Sequence, residues 1–533
     1  MAVVPSEPAR SLPLVAPEQR APRYVKVLDQ TKCIGCHACT TACKSEHEVP
    51  VGVTRTYVKA VDVGEFPQVR RNFQVTRCNQ CEDAPCVTAC PTSAMFTRDD
   101  GIVDFDKQAC IGCKACMAAC PYDAIFINPD DHSAEKCNFC AHRIDMGLEP
   151  ACVVVCPVEA ILVGDINDPA SRVSGELGRS PTEVRRPEKD TRPKVHYKGA
   201  SQATLDPLAA RRPEVDIFAW AQQHPETDPH RINSGTPVDP VAQRDGTAAP
   251  TTSSAAALLS YDIGHDVPWD WRVGLYTWTK SIAAGVYLVA ALLLATPWLG
   301  TDDVLWRWVV PVLSAAFLAL TGAILIWDLE HSSRFYYIFT RPQWRSWLVR
   351  GGVIIAVFGA ALTLHMGASL VGATAPQVAL LVVGVPAALA TAAYTAFLFA
   401  QATARDLWQN PLLPPHFAVQ ALLAGAAVLV PLAAWLTPDA VGATGIVLAV
   451  ATVVHLLMVA GEVTLAHPTA HARMAVHELV GGRFHRLFVA GVVLCALGVL
   501  APWVGVAAAL PALAGLLAHE HAYVQAGQSV PLA

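Results

Sequence analysis

Sixteen cysteines between Cys33 and Cys156 fall into four groups. The first is Cys33-x2-Cys36-x2-Cys39-x3-Cys43, and the second is Cys78-x2-Cys81-x4-Cys86-x3-Cys90-Pro91. The third is Cys110-x2-Cys113-x2-Cys116-x3-Cys120-Pro121, and the fourth is Cys137-x2-Cys140-x11-Cys152-x3-Cys156-Pro157. Thiolates in such numbers bind soft metals or pair as disulfides. Zinc sites usually join two C-x2-C halves separated by a dozen or more residues. Three closely spaced thiols and a distant fourth do not suit that arrangement. A disulfide scaffold requires an oxidising compartment. The segment MAVVPSEPARSLPLVAPEQR carries neither an apolar signal core nor a twin-arginine pair, so the expectation is a reducing one. Iron–sulfur ligation is the better account. The seventeenth cysteine, Cys495, lies in an apolar stretch and reads as a packing residue.

The C-x2-C-x2-C-x3-C-P spacing is the bacterial ferredoxin signature. Three thiolates on a tight loop grip one cubane, and the fourth, at the start of a short helix, reaches its neighbour. At four thiolates per cluster, sixteen predict four [4Fe–4S] clusters. Every group supplies a cysteine at each position, so no three-iron cluster is expected.

The elements that must position these groups divide the chain. Of the 84 charged residues, 64 precede Trp271, and only 20 fall in the rest of the 533-residue chain. Charged residues are 16% of the whole, and mean hydropathy is +0.34. One uniform soluble globule is excluded, and a polar half joined to a membrane half is implied. The net charge of −6 is spread thinly and gives no sign of nucleic-acid binding. The expected organisation is a flexible N-terminus (1–22), an α+β ferredoxin-like four-cluster domain (23–165), an extended Pro/Arg-rich linker packed on a partner (166–268), and an all-α polytopic membrane bundle (269–533).

Charges delimit the apolar spans. One lies between Lys280 and Asp302, and a second between Arg307 and Asp328. Two fill Arg350 to Arg405, broken near Gly372–Gln377. A fifth follows Pro414–Pro415, and a sixth lies between Asp439 and Glu462. Pro502 divides Arg486 to Glu520 into a seventh and an eighth. A crossing takes about 20 apolar residues. About eight transmembrane helices are expected, with both ends on one side.

Residues 24–165 resemble the four-cluster iron–sulfur subunit of the DMSO-reductase (molybdopterin) superfamily, and all sixteen cysteine positions match. The resemblance implies crosswise ligation. Cys33, Cys36, Cys39 and Cys156 would hold one cluster, and Cys43, Cys137, Cys140 and Cys152 its neighbour. Cys78, Cys81, Cys86 and Cys120 would hold a third, and Cys90, Cys110, Cys113 and Cys116 the fourth. In the membrane half, WDLEHSSRFYYIFTRPQWRSWLVRGG and RDLWQNPLLPPHFAVQALLAG resemble loops of NrfD-like, polysulfide-reductase-type membrane subunits. Glu330-His331-Ser332 stands where that family commonly has Gly-Arg-Pro. This second resemblance implies a quinone site in the first four-helix bundle, facing the clusters.

The residues themselves allow that site. A quinone needs donors at its carbonyls and a proton supply. Lys280, Tyr394 and His265 can donate, and Asp328 can relay. Each has a plainer alternative: interfacial snorkelling for Lys280, helix packing for Tyr394, and a salt bridge to Arg334 or Arg341 for Asp328. His365 and His455 are the candidates for a haem, the less favoured reading. His455 and Glu462 share a helix face and form either a proton path or a polar pair between helices.

The expected function is that of an electron-transfer and membrane-anchor subunit, joining a separate molybdopterin catalytic subunit to menaquinone or ubiquinone. The alternatives are a terminal reductase anchor that oxidises quinol and a module of a redox-driven ion-translocating complex. Eight arginines (Arg334, Arg341, Arg345, Arg350, Arg405, Arg473, Arg483 and Arg486) fall in loops on the cluster side, against Arg307 opposite. That bias predicts an inner-membrane protein with its clusters in the cytoplasm, which suits substrate oxidation coupled to quinone reduction.

Overall fold

The computed structural model describes residues 21–64, 67–211, 231–232 and 257–533. The expected flexible N-terminus lies outside them, except for residues 21 and 22.

The strand β1 (Tyr24–Asp29, YVKVLD) alternates its two faces. Val25 and Val27 pack on Val173, while Leu28 faces Cys39, Val58 and Val75. Ile161–Asp165 pairs antiparallel along one edge of β1, Val195–Lys198 pairs parallel along the other, and Thr182–Glu183 extends the sheet. A second sheet joins β2 (Thr56–Val63) to β3 (Arg70–Arg77), with Leu258–Tyr261 on the free edge of β2. Two hairpins, Met95–Thr97 with Val103–Phe105 and Ile125–Ile127 with Ala134–Lys136, follow the Cys90-Pro91 and Cys120-Pro121 steps.

The expected linker differs from what is observed. Residues 167–211 are folded onto the cluster domain, and Leu258–Tyr261 is one of its strands. Residues 212–230 and 233–256 of that segment lie outside the described residues. The Pro/Arg-rich composition that suggested a solvated linker has another cause. Arg185 is fully buried, lies over the Tyr122 ring and donates to the Leu532 carbonyl. Lys189 pairs with Asp406 and donates to the Thr403 carbonyl. These charges dock one half of the chain on the other.

Among the described residues, seven continuous helical segments are long and apolar enough to cross a membrane. They are Trp271–Leu294, Leu305–Trp327, Trp347–Leu370, Leu381–Gln401, Leu413–Leu436, Pro438–Thr464 and His485–Gln528. The last one doubles back. Gly491 abuts His519, Gly515 abuts Cys495, and Gly498 abuts Ala512, so His485–Ala496 and Ala509–Gln528 run antiparallel. The turn holds Pro502 and Gly505, the latter at φ 55°. These two legs are the seventh and eighth helices of the bundle, the first of them 12 residues long. The first and fifth helices cross at Gly285 and Gly425, where an added Cβ would strike the opposing backbone. Loops after the second, fourth and sixth helices, and both ends of the bundle, meet the cluster domain or residues 185–189.

Candidate functional site

The first Cys-x-x-Cys turn of each group places a left-handed residue just before its second cysteine: Gly35, Gln80, Gly112 and Phe139, at φ 69°, 48°, 68° and 58°. The turn folds the loop back so that its thiols converge. Backbone N–H groups then point at sulfur. Gln80 donates to Cys78 Sγ at 3.4 Å, Gly112 to Cys110 Sγ at 3.4 Å, Met95 to Cys90 Sγ at 3.4 Å and Ala160 to Cys156 Sγ at 3.2 Å.

The thiols gather in groups of four. One cavity is lined by Cys33, Cys36, Cys39 and Cys156, and another by Cys90, Cys110, Cys113 and Cys116. Cys43 lies in electrostatic reach of Cys137, Cys152 and Cys140, and Cys86 of Cys78, Cys120 and Cys81. Neighbouring quartets approach through Cys39 and Cys152, Cys78 and Cys137, and Cys116 and Cys86. The quartets therefore form a line. One end holds the exposed Cys36, and the other abuts the membrane loops. No disulfide joins any of the seventeen cysteines.

The chemistry around the quartets fits anionic clusters. Lys26, Arg77 and Lys136 are buried among them. Arg77 donates to Cys152 Sγ at 3.2 Å, yet its Nε and second terminal nitrogen have no partner. A buried, half-satisfied guanidinium is costly unless negative charge lies beside it. Burial works to raise the Cys152 thiol, but Lys26 and Arg77 outweigh it and bring it down to about 7. Clusters held here would supply one-electron redox chemistry.

Docking of the last quartet on the membrane half is dense. Gly112 faces the Glu330 side chain, and the Glu330 and His331 amides donate to the Gly112 and Ile111 carbonyls. Arg334 donates to the Lys107 and Cys110 carbonyls, both at 2.9 Å. Lys114 lies 2.8 Å from Glu330 and 3.9 Å from Asp328, and Arg272 lies 3.3 Å from Asp328. Trp269 Nε1 donates to the Cys113 carbonyl.

The four quinone candidates do not converge. Lys280 and Tyr394 do meet. The Lys280 ammonium lies 5.1 Å from the Tyr394 ring centre and 4.5 Å from that of Phe417, and it donates to Thr395 Oγ1 at 2.7 Å and the Ala392 carbonyl at 2.9 Å. It is fully buried and does not snorkel. Asp328 sits at the cluster interface, paired with Lys114 and Arg272 rather than with Arg334 or Arg341. Burial pushes its carboxyl up to about 6. His265 is clasped between Asp123, at 2.6 Å, and Asp262, at 3.3 Å. Burial opposes its protonation, but the two carboxylates prevail and raise it to about 9.

Other polar residues of the membrane half were not foreseen. Glu520, taken from sequence as a span boundary, is buried inside the eighth helix and accepts from Thr277 at 2.9 Å. The sequence signal was present in His519-Glu520-His521, a polar run within an apolar stretch. His455 bonds His416 across two helices, and His416 had not been singled out. His365 packs instead on Trp306 and Tyr287, away from His455.

A cysteine-lined iron–sulfur domain docked on a polytopic helical domain of the same chain defines a membrane-bound oxidoreductase subunit. Family comparison gives the same two parts: residues 69–166 match the 4Fe-4S dicluster domain, and residues 261–530 match Polysulphide reductase, NrfD. The chain therefore belongs to the NrfD family, fused to an iron–sulfur domain. Among its relatives is a tetrathionate reductase subunit of Salmonella typhimurium, 45% identical over 193 residues, which are 36% of this chain and 77% of that protein. A polysulfide reductase polypeptide of Wolinella succinogenes is 41% identical over 178 residues, 33% of this chain and 93% of that one. The thiosulfate reductase electron transfer subunit PhsB of Salmonella typhi is 44% identical over 149 residues, covering 27% and 78%.

Proposed function

We propose that this chain carries electrons between a separate molybdopterin catalytic subunit and a membrane quinone, using four [4Fe–4S] clusters on the sixteen cysteines. The observation that carries the reading is the line of quartets, which ends against the membrane loops at Cys110 and Cys113. The far end suits a partner: Cys36 is exposed, and Ile34, Val154 and Val155 are exposed apolar residues beside that quartet.

Quinone binding falls to Lys280 and Tyr394. Lys280 donates to the head group, Tyr394 and Phe417 flank it, and Glu520 beside Thr277 is the nearest carboxyl for proton exchange. Asp328 and His265 hold the two halves together instead.

The cluster domain faces the cytoplasm. Arg334 and Arg405 are spent on docking. Arg341, Arg345, Arg350, Arg483 and Arg486 remain exposed on that side and still favour cytoplasmic placement. That placement suits oxidation of a cytoplasmic substrate with reduction of quinone. A second reading rests on the relatives, which are named as subunits of tetrathionate, polysulfide and thiosulfate reductases. It has the chain oxidising quinol to feed a sulfur-compound reductase.

The test begins with iron, labile sulfide and molybdenum analysis of the complex purified with its partner. About sixteen iron atoms per chain are expected, and a zinc-dominated preparation would sink the cluster reading. Quinol is then added, and cluster bleaching is followed on adding tetrathionate, thiosulfate or polysulfide. Reoxidation by one of them selects the reductase direction. Epitopes inserted at Gly372 and Gly481 report sidedness. Access to the Gly481 tag from outside intact spheroplasts would overturn the cytoplasmic placement.

A further inference from the structure

Three histidines with no part in cysteine chemistry meet inside the membrane half. His416 comes from the fifth helix, His455 from the sixth and His519 from the eighth. Their exposures are 5%, 1% and 1%. One ring nitrogen of each lies within 4.8 Å of the other two. The ring centres form a triangle with sides of 5.0, 4.9 and 6.0 Å.

The polar accounting around the trio does not close. His416 Nε2 and His455 Nδ1 share one hydrogen bond of 2.9 Å. Neither ring nitrogen of His519 has a partner. His416 and His519 line a cavity together with Gln420 and Glu520, and Gln420 Oε1 and Glu520 Oε1 are also unpartnered. Each such atom in an apolar interior costs about 1–3 kcal/mol. A void would leave all four costs standing.

We propose that His416, His455 and His519 bind a zinc(II) ion that clasps the fifth, sixth and eighth helices. Zinc takes imidazole nitrogen at about 2.0–2.1 Å in tetrahedral geometry, which sets the nitrogens about 3.3 Å apart. Small rotations of the three rings reach that spacing from the distances observed. The ion takes up the idle lone pair on His519. Its fourth position faces the Glu520 side of the cavity, where the carboxylate offsets its charge directly or through a bound water. An all-nitrogen set with one carboxylate suits zinc. A haem does not fit here, because His416 and His455 already touch and leave no slot for a macrocycle.

The test uses the full chain, purified from cells grown without added zinc, and reads metal content and zinc-edge X-ray absorption. About one zinc per chain is expected alongside the iron, with nitrogen or oxygen scatterers at about 2.0–2.1 Å. His519→Asn and His416→Asn should each lose at least nine-tenths of it, while His365→Asn retains it. Iron content equal to wild type in all three shows that the cluster domain is folded and loaded. If one variant does not accumulate, the other decides. Absence of zinc from wild type, retention of zinc in a trio variant, or sulfur scatterers at about 2.3 Å would overturn the proposal. Equimolar copper in place of zinc would overturn it as well.

Discussion

The two halves of this molecule build their sites by different routes. In the cluster domain one local device is used four times. A left-handed residue at Gly35, Gln80, Gly112 and Phe139 turns each loop so that its own thiols converge. The long-range part is limited to one cysteine per group reaching the neighbouring quartet. In the membrane half, by contrast, Lys280 comes from the first helix, Thr395 from the fourth, Phe417 from the fifth and Glu520 from the eighth. Nothing in their spacing relates them, and helix packing alone brings them together. Metal chemistry is written in short-range pattern here, whereas the polar membrane site is written in tertiary contacts.

That contrast can be broken at either end. The largest effect is expected from Cys116→Ser. One quartet fails, iron falls by about a quarter, and quinone-linked electron flow falls roughly a hundredfold or more, since members of a relay act as a unit. The membrane half should still insert, as gel filtration in detergent will show. Next comes Gly425→Leu, which forces a side chain into the Gly285 backbone. Overpacking of this kind costs about 3 kcal/mol. It should lower the unfolding temperature of the membrane half while iron content stays at the wild-type level.

Smaller effects sharpen the comparison. Lys280→Met should slow quinone turnover about tenfold, and Tyr394→Phe about threefold, which is the scale of one lost hydrogen bond. Cluster reduction by an artificial donor should be untouched in both. Wild-type turnover in both would move the quinone elsewhere. The smallest effect lies at the seam. His265 is raised from 6.5 to about 9, so the protonated form is the one that the folded state favours. Its contribution is therefore complete below pH 6.5 and is lost as pH rises to about 9. His265→Gln should remove that dependence from the thermal denaturation profile and cost about 1–2 kcal/mol at pH 6. A wild-type profile that is flat between pH 6.5 and 9 would count against the clasp.

Much of this was legible beforehand, for reasons that differ by region. The iron–sulfur character of the cysteine domain was legible from spacing because the ligand loops are local, whereas the crosswise quartets are what the resemblance implies. The helix count followed from charge-delimited spans, including the fold-back at Pro502, where proline removes a helical donor. The domain boundary at 165 was misread. Arg185, Lys189 and Lys194 look like solvated linker charges in one dimension, yet they are buried or half-buried against carbonyls and Asp406 in three. Glu520 was missed because a lone carboxylate in an apolar run marks a span end as readily as a buried site. His416 was missed because its partners lie 39 and 103 residues further along the sequence.

The strand Leu258–Tyr261 is stitched to β2, and the first membrane helix begins at Trp271. Residues 262–270 could span about 30 Å if fully stretched, but His265 and Trp269 pin them midway to Asp123 and Cys113. There is no slack for a swinging arm. A carrier that shuttles between donor and acceptor must undock on every turnover, and its rate then depends on solvent viscosity and on leash length. This domain is instead fixed on the membrane half, so under the proposed function the rate of electron transfer between the halves should be insensitive to both.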